Sequence, residues 1–121
     1  MSPSMASKAA IPHPLPPALA EQIAERFRLL AEPARIRLLD RLRDGAATVS
    51  ELTEATGSSQ QNVSKHLGAL HRGGLVGRER SGNFVRYRIS DPTVFELCEL
   101  VCGRLREQLD ELDRLMAGEA R

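Results

Sequence analysis

Apolar residues recur at helical spacing in several stretches of the chain and alternate at strand spacing in two. From Pro17 to about Ala31, Leu19, Ile23, Ala24, Phe27 and Leu30 line one face. Pro17 suits a first helical turn, and Glu32-Pro33 breaks the pattern. Pro33 opens a second helix with Ile36, Leu39 and Leu42 inward and Gly45 as its stop. A short third helix, about Val49 to Thr56, turns Val49, Leu52 and Ala55 inward. Thr48 and Glu51 fit a T-x-x-E capping box at its start, and Gly57 closes it. In the stretch from Ser58 to Gly74, Val63, Leu67 and Leu70 form an apolar stripe. Ser58 or Ser59 can cap this helix, Ser58 with Gln61 fitting S-x-x-Q, and Gly73-Gly74 ends it.

Leu75 to Arg80 and Phe84 to Ile89 read as strands joined by a turn at Ser81-Gly82-Asn83. Val85, Tyr87 and Ile89 alternate with Arg86 and Arg88, and Val76 is read as alternating with Arg78 and Arg80. Asp91 and Pro92 start a last helix by cap and N1 proline. Its stripe runs Val94, Leu97, Cys98, Val101, Leu105, Leu109, Leu112, Leu115. That is longer than a domain of this size needs for its own core, so it is expected to pair with a second copy, helped by the first helix. Residues 1–16 are rich in Pro, Ser and Ala without periodicity and read as a flexible tail, with 17–121 as one domain. The expected fold is mainly α with a β-hairpin wing: about five helices, a helix-turn-helix and a C-terminal dimerisation helix.

Aromatic residues make up only 3% of the chain and Trp is absent, so aliphatic side chains must build the core. The formal net charge of +1 hides an uneven distribution. Residues 58–90 carry six Lys/Arg against Glu79 alone, whereas residues 91–121 carry four arginines against eight acids. One face can therefore attract phosphate while another repels it. No apolar run approaches the roughly 18 residues of a membrane span, and the N-terminus lacks a secretory core, so a cytoplasmic protein without membrane contact is expected. No nucleophile–base pairing, phosphate loop or usefully spaced acid pair occurs, so the chain does not read as an enzyme.

The helix after Gly57 has an apolar back and an amide-rich front, Gln60, Gln61, Ser64 and Lys65. Glutamine can grip adenine through two hydrogen bonds in the major groove, and lysine can reach guanine or phosphate. A basic ribbon directly after it can meet phosphates or enter the minor groove. Arg35 and Arg37 read as a solvated, salt-bridged face that can also touch a DNA backbone. Cys98 and Cys102 are four residues apart on one helical face. Either they pack as small apolar residues in a helix seam, or two such helices bring up to four thiolates together, to hold a soft ion such as trivalent arsenic or to let Cys98 or Cys102 cross-link to the other chain.

The order of these elements resembles the ArsR/SmtB winged-helix repressors of bacteria. The segments that carry the likeness are AEPARIRLLDRL, TVSELTEATGSSQQNVSKHLGALHRGGLV and FVRYRISDP, covering most of Leu30 to Pro92. The resemblance implies a homodimer on double-stranded DNA at a palindromic operator, released by an inducer, often a metal ion. It places DNA contacts on Ser59, Gln60, Gln61, Ser64 and Lys65 of the recognition helix, and on Arg78, Arg80, Asn83 and Arg86 of the wing.

The family's metal sites do not carry over. Its third-helix cysteine pair falls on Thr48 and Ser50, and its zinc ligands fall on Asp91, Thr93, Arg104 and Glu107, without either histidine. The segment from Pro33 to Gly45 lacks the cysteine of the persulfide-sensing branch. His66 and His71, on the recognition helix, read as structural or backbone-contacting. The cofactor is left open by the sequence, with none, or trivalent arsenic or another soft ion at Cys98 and Cys102, as the readings it offers. The alternative reading is a winged-helix regulator or interaction module with no metal site, supported only by the low net charge.

Overall fold

The computed structural model describes residues 10–118. Residues 10–16 are exposed and form neither helix nor strand; the rest of the expected tail lies outside the described residues. Five helices and three strands follow: α1 (Pro17–Leu30), α2 (Pro33–Leu42), β1 (Ala47–Thr48), α3 (Val49–Thr56), α4 (Gln60–Arg72), β2 (Val76–Ser81), β3 (Phe84–Ile89) and α5 (Thr93–Met116).

Proline sets the first two helix starts. Pro17 and Pro33 each occupy the first turn, where a missing N–H costs no hydrogen bond. At α3 the expected capping box is present: the Thr48 hydroxyl accepts from the Glu51 N–H at 3.1 Å, and Glu51 Oε1 accepts from the Thr48 N–H at 2.9 Å. Helix α4 is capped by Ser59, whose hydroxyl accepts from the Asn62 N–H at 3.1 Å. The Ser58–Gln61 box therefore does not form: the cap is Ser59, and its bond to Asn62 is one-way. At the other end Gly74, at φ +80°, takes the left-handed position. Leu75 N–H then donates to the Leu70 carbonyl and Gly74 N–H to that of His71, both at 3.0 Å, a Schellman closure with buried Leu70 against Leu75. A Cβ on the neighbouring Gly73 would stand 2.1 Å from Leu29 Cδ2, so glycine here lets α1 approach the end of α4. Helix α5 starts at Thr93, one residue later than expected, with the Asp91 carboxylate accepting from the Thr93 N–H at 3.1 Å.

The core gathers Leu38, Leu39, Leu42, Ala47, Leu52, Val63, Leu67, Leu70, Leu75, Val76, Tyr87 and Val94. Two inward assignments shift. Ile36 is 42% exposed and Leu38 is buried in its place, while Ala55 lies on the exposed side of α3. A face assigned from alternate aliphatics alone can rotate by one position when the neighbouring position is also leucine.

The hairpin is a three-stranded antiparallel sheet in the order β1-β3-β2, because Ala47 and Thr48 pair with Tyr87 and Arg86. Two residues leave no periodicity to detect. β2 and β3 are in register from Val76↔Ile89 to Ser81↔Phe84, which leaves a two-residue turn of Gly82 and Asn83. Gly82, at φ +63°, supplies the positive φ that a two-residue hairpin turn needs at its first position. Among the described residues, no helix is long and apolar enough to cross a membrane.

Candidate nucleic-acid interface and thiol pair

Helices α3 and α4 are joined by Gly57, Ser58 and Ser59, and α4 lays Val63, His66, Leu67 and Leu70 into the core. Its other side leaves Gln60, Gln61, Ser64 and Lys65 exposed. Gln60 with Ser64, and Gln61 with Lys65, are one turn apart, so all four rise from one convex strip about one and a half turns long. Ser59 sits at the lip of that strip with its hydroxyl oxygen committed to the cap. The end of α3 is braced by Arg37, which donates to the Thr56 carbonyl at 3.0 Å.

In the wing, register decides direction. Arg78 pairs with Tyr87 and Arg80 with Val85, so these four share a face, and Val76 lies on that face too. Val76 therefore does not alternate with Arg78 and Arg80; it shares their parity and is buried only because it sits at the base. Arg78, Arg80 and Asn83 are exposed. Arg86 lies on the opposite face and turns back to Glu51 Oε1 at 3.5 Å, tying the wing to the start of α3. The Thr48 backbone N–H and the Arg86 guanidinium together hold the Glu51 carboxyl below its usual range. Arg88 faces Glu79 at 3.9 Å. Phe84, at the tip beside Asn83, is 62% exposed; its strand spacing predicted a ribbon residue and carried no sign of its exposure.

Arg35 and His66 are not on the surface. The Arg35 Nε–H donates to His66 Nδ1 at 3.1 Å, and its Nη1 donates to the Leu29 carbonyl at 3.3 Å. Only 5% of His66 is exposed. The backbone-contact reading of Arg35 is thus replaced by an internal one. Burial first, and then the adjacent Arg35, push the His66 imidazole below its ordinary value.

Cys98 is half-buried and Cys102 exposed, and both thiols are free. They line an apolar groove of about 370 Å³ between α1, α2 and α5, with Phe27, Leu30, Ile36, Leu97, Val101 and Leu105. Among the described residues there is no group of three or more His, Cys, Asp or Glu placed to hold a metal ion. One chain alone therefore offers two soft donors in an apolar wall.

A helix-turn-helix domain model matches residues 30–78. The uncharacterized HTH-type transcriptional regulator Rv0081 of Mycobacterium tuberculosis is 37% identical over 78% of this chain and 88% of its own length. Its crystal structure superposes with a TM-score of 0.69 over 77% of this chain and 94% of that chain. The homodimeric winged helix-turn-helix DNA-binding domain Mb0332 of Mycobacterium bovis, described as a possible ArsR-family transcriptional regulator, is 37% identical. It superposes with a TM-score of 0.66 over 76% of this chain and 85% of that chain. The antimony-specific transcriptional repressor AntR is 32% identical and superposes with a TM-score of 0.67 over 91% of this chain and 96% of that chain. With this sequence identity, this coverage and this order of elements, the chain belongs to the ArsR/SmtB family of winged helix-turn-helix transcriptional regulators.

Proposed function

We propose that this protein is a cytoplasmic repressor that binds an inverted-repeat operator as a homodimer and releases it when a soft ion or an oxidant reaches Cys98 and Cys102. The observation that carries the DNA reading is the exposed strip of Gln60, Gln61, Ser64 and Lys65 on a helix whose back is locked into the core. Gln60 and Gln61 read base edges, Lys65 takes a guanine or a phosphate, and Arg78, Arg80 and Asn83 reach the flanking backbone or minor groove. Arg86, held by Glu51, fixes the pitch of the wing. Pairing through α1 and α5 sets two recognition helices about one DNA turn apart, on the order of 10 base pairs between half-site centres.

Gln60→Ala is expected to weaken operator binding by roughly 1–3 kcal/mol and to relax preference at one base pair per half-site. Stability stays unchanged, because the side chain is exposed. Fluorescence anisotropy against the DNA upstream of the protein's own gene, with a panel of single-base variants, measures this. Equal weakening on every sequence would remove Gln60 as a base reader. Absence of specific binding by the parent would remove the repressor reading.

What supports the sensor reading is the placing of both thiols on one wall of the groove, together with the likeness to a repressor described as antimony-specific. Thiolates are the ligands that soft trivalent ions prefer. A disulfide between Cys98 and Cys102 within the helix is disfavoured, since i, i+4 Cβ atoms stand about 5–6 Å apart and a disulfide needs about 3.5–4.5 Å. Ligation, or a bond to the other chain, strains α5 and alters the spacing of the recognition helices. Arsenite and antimonite are expected to release the operator from the parent and not from a Cys98→Ser, Cys102→Ser double variant. Equal release from both proteins, or none from the parent with either ion or with a thiol oxidant, assigns the cysteines to packing.

A further inference from the structure

Among the described residues, the one buried polar side chain in the core belongs to His66, on the inner face of the recognition helix, and the groups around it form a connected set. Arg35 can only donate hydrogen bonds. Its 3.1 Å contact therefore requires an unprotonated Nδ1 on His66, which leaves the ring proton on Nε2. The same guanidinium holds the Leu29 carbonyl at the end of α1, and its Nη2 faces Glu32 Oε2 at 3.9 Å. One planar cation thus meets the end of α1, the α1–α2 turn and the back of α4. The charged groups that reach the imidazole are Arg35 from α2, Glu32 from the turn and Lys65 from α4 itself. Glu32 Oε1 lies 3.8 Å from Nε2, beyond hydrogen-bonding reach.

A proton added at Nδ1 faces the Arg35 Nε–H directly. Donor then opposes donor, and a second cation appears 3.1 Å from the first in a mostly dry site. The Glu32 carboxylate is half-exposed and too distant to offset this fully. Opening the contact lets the imidazolium reach water.

We propose that Arg35 and His66 are a positioning pair that fixes the recognition helix against the α1–α2 corner, and that protonation of His66 opens the pair and weakens operator binding in mildly acidic conditions. This rests on the operator reading above. The sign follows from linkage. The ring is neutral in the closed state and its proton affinity is lowered there. The open state therefore binds more protons, and falling pH favours it once the ordinary histidine range is reached.

The test is operator affinity from about pH 8 to about pH 5 at constant ionic strength, for the parent and His66→Gln. Glutamine keeps an acceptor for Arg35 and gains no proton. His13 and His71 remain in both proteins, so the difference isolates His66. The parent is expected to hold constant affinity down to about pH 6.5 and then to lose up to about tenfold per pH unit per protomer. His66→Gln is expected to stay flat relative to it. Parallel profiles overturn the proposal. A second measurement uses DNA-free parent protein and needs no variant. In nitrogen-15 NMR, the His66 ring nitrogens should report an unprotonated Nδ1 at neutral pH. The amides of Leu29 and Arg35 should then shift with the His66 titration curve. Titration of His66 without those shifts, or a protonated Nδ1 at neutral pH, also overturns it. If the NMR coupling is present and no specific DNA binding occurs at any pH, the operator reading fails and the positioning pair stands.

Discussion

Leu105→Glu is expected to yield a folded monomer whose operator affinity falls by about a thousandfold or more. The reasoning starts from an imbalance on α5. Val94 is the only buried residue of this helix, while Val101, Leu105, Leu109, Leu112 and Leu115 are each more than half exposed. The same face continues into Phe27 of α1, which is 52% exposed. A contiguous apolar surface of this kind is uncommon on a free monomer. Within one chain Leu105 meets water over 54% of its surface, so a carboxylate there changes stability by about 0.5 kcal/mol at most. In a two-fold pair the same substitution brings two like charges into one apolar seam, and each unpaired charge costs several kcal/mol. Losing the pair leaves a single recognition helix per molecule, which falls back towards non-specific affinity. Sedimentation velocity should show one species at the monomer mass with the parent's circular dichroism spectrum. A variant that remains dimeric, or a monomer that keeps operator affinity, would contradict the pairing through α5.

The residues that were legible in the sequence are those whose role is set within a few positions. Pro17 and Pro33 mark helix starts through their own covalent geometry. Thr48 and Glu51 recognise each other across three residues, and Gly74 and Gly82 are needed where φ is positive. The exposed strip of α4 follows from the buried stripe behind it, so Gln60, Gln61, Ser64 and Lys65 are found where the pattern puts them. What escaped depends on distant partners. β1 is a strand only because Tyr87 and Arg86 lie beside it. Arg86 turns inward because Glu51 waits 35 residues earlier in the chain. Arg35 looks like one more surface arginine until His66, 31 residues away, claims its Nε–H. Leu38 and Ile36 flank Leu39 and Leu42 on opposite sides of α2, and local spacing cannot say which flank the core covers. Long side chains with several rotamers choose partners from the tertiary structure, and short-range patterns hold no record of that choice.

Leu67→Ala is expected to lower stability by about 2–5 kcal/mol. Leu67 has no exposed surface and lies at the centre of the inward face of α4, with Val63 and Leu70 one turn to either side. Truncation removes three carbons from a close-packed site. The surroundings cannot fully collapse, because Leu70 and Leu75 are tied by the hydrogen-bonded closure at Gly74 and α1 is already in contact with Gly73. A domain of this size typically has about 5–15 kcal/mol in total, so the loss is a large share of it. The melting temperature should drop by on the order of 10 °C or more. Leu67 points away from the strip that carries Gln61, Ser64 and Lys65, so the fraction that remains folded keeps its operator specificity. Urea titration followed by circular dichroism measures the first effect, with an unchanged slope if the denatured state is unaffected. Anisotropy at low temperature measures the second. A stability loss below about 1 kcal/mol would mean that α4 does not depend on this core contact. A change of base preference without destabilisation would mean that the inward and outward faces of α4 have been assigned the wrong way round.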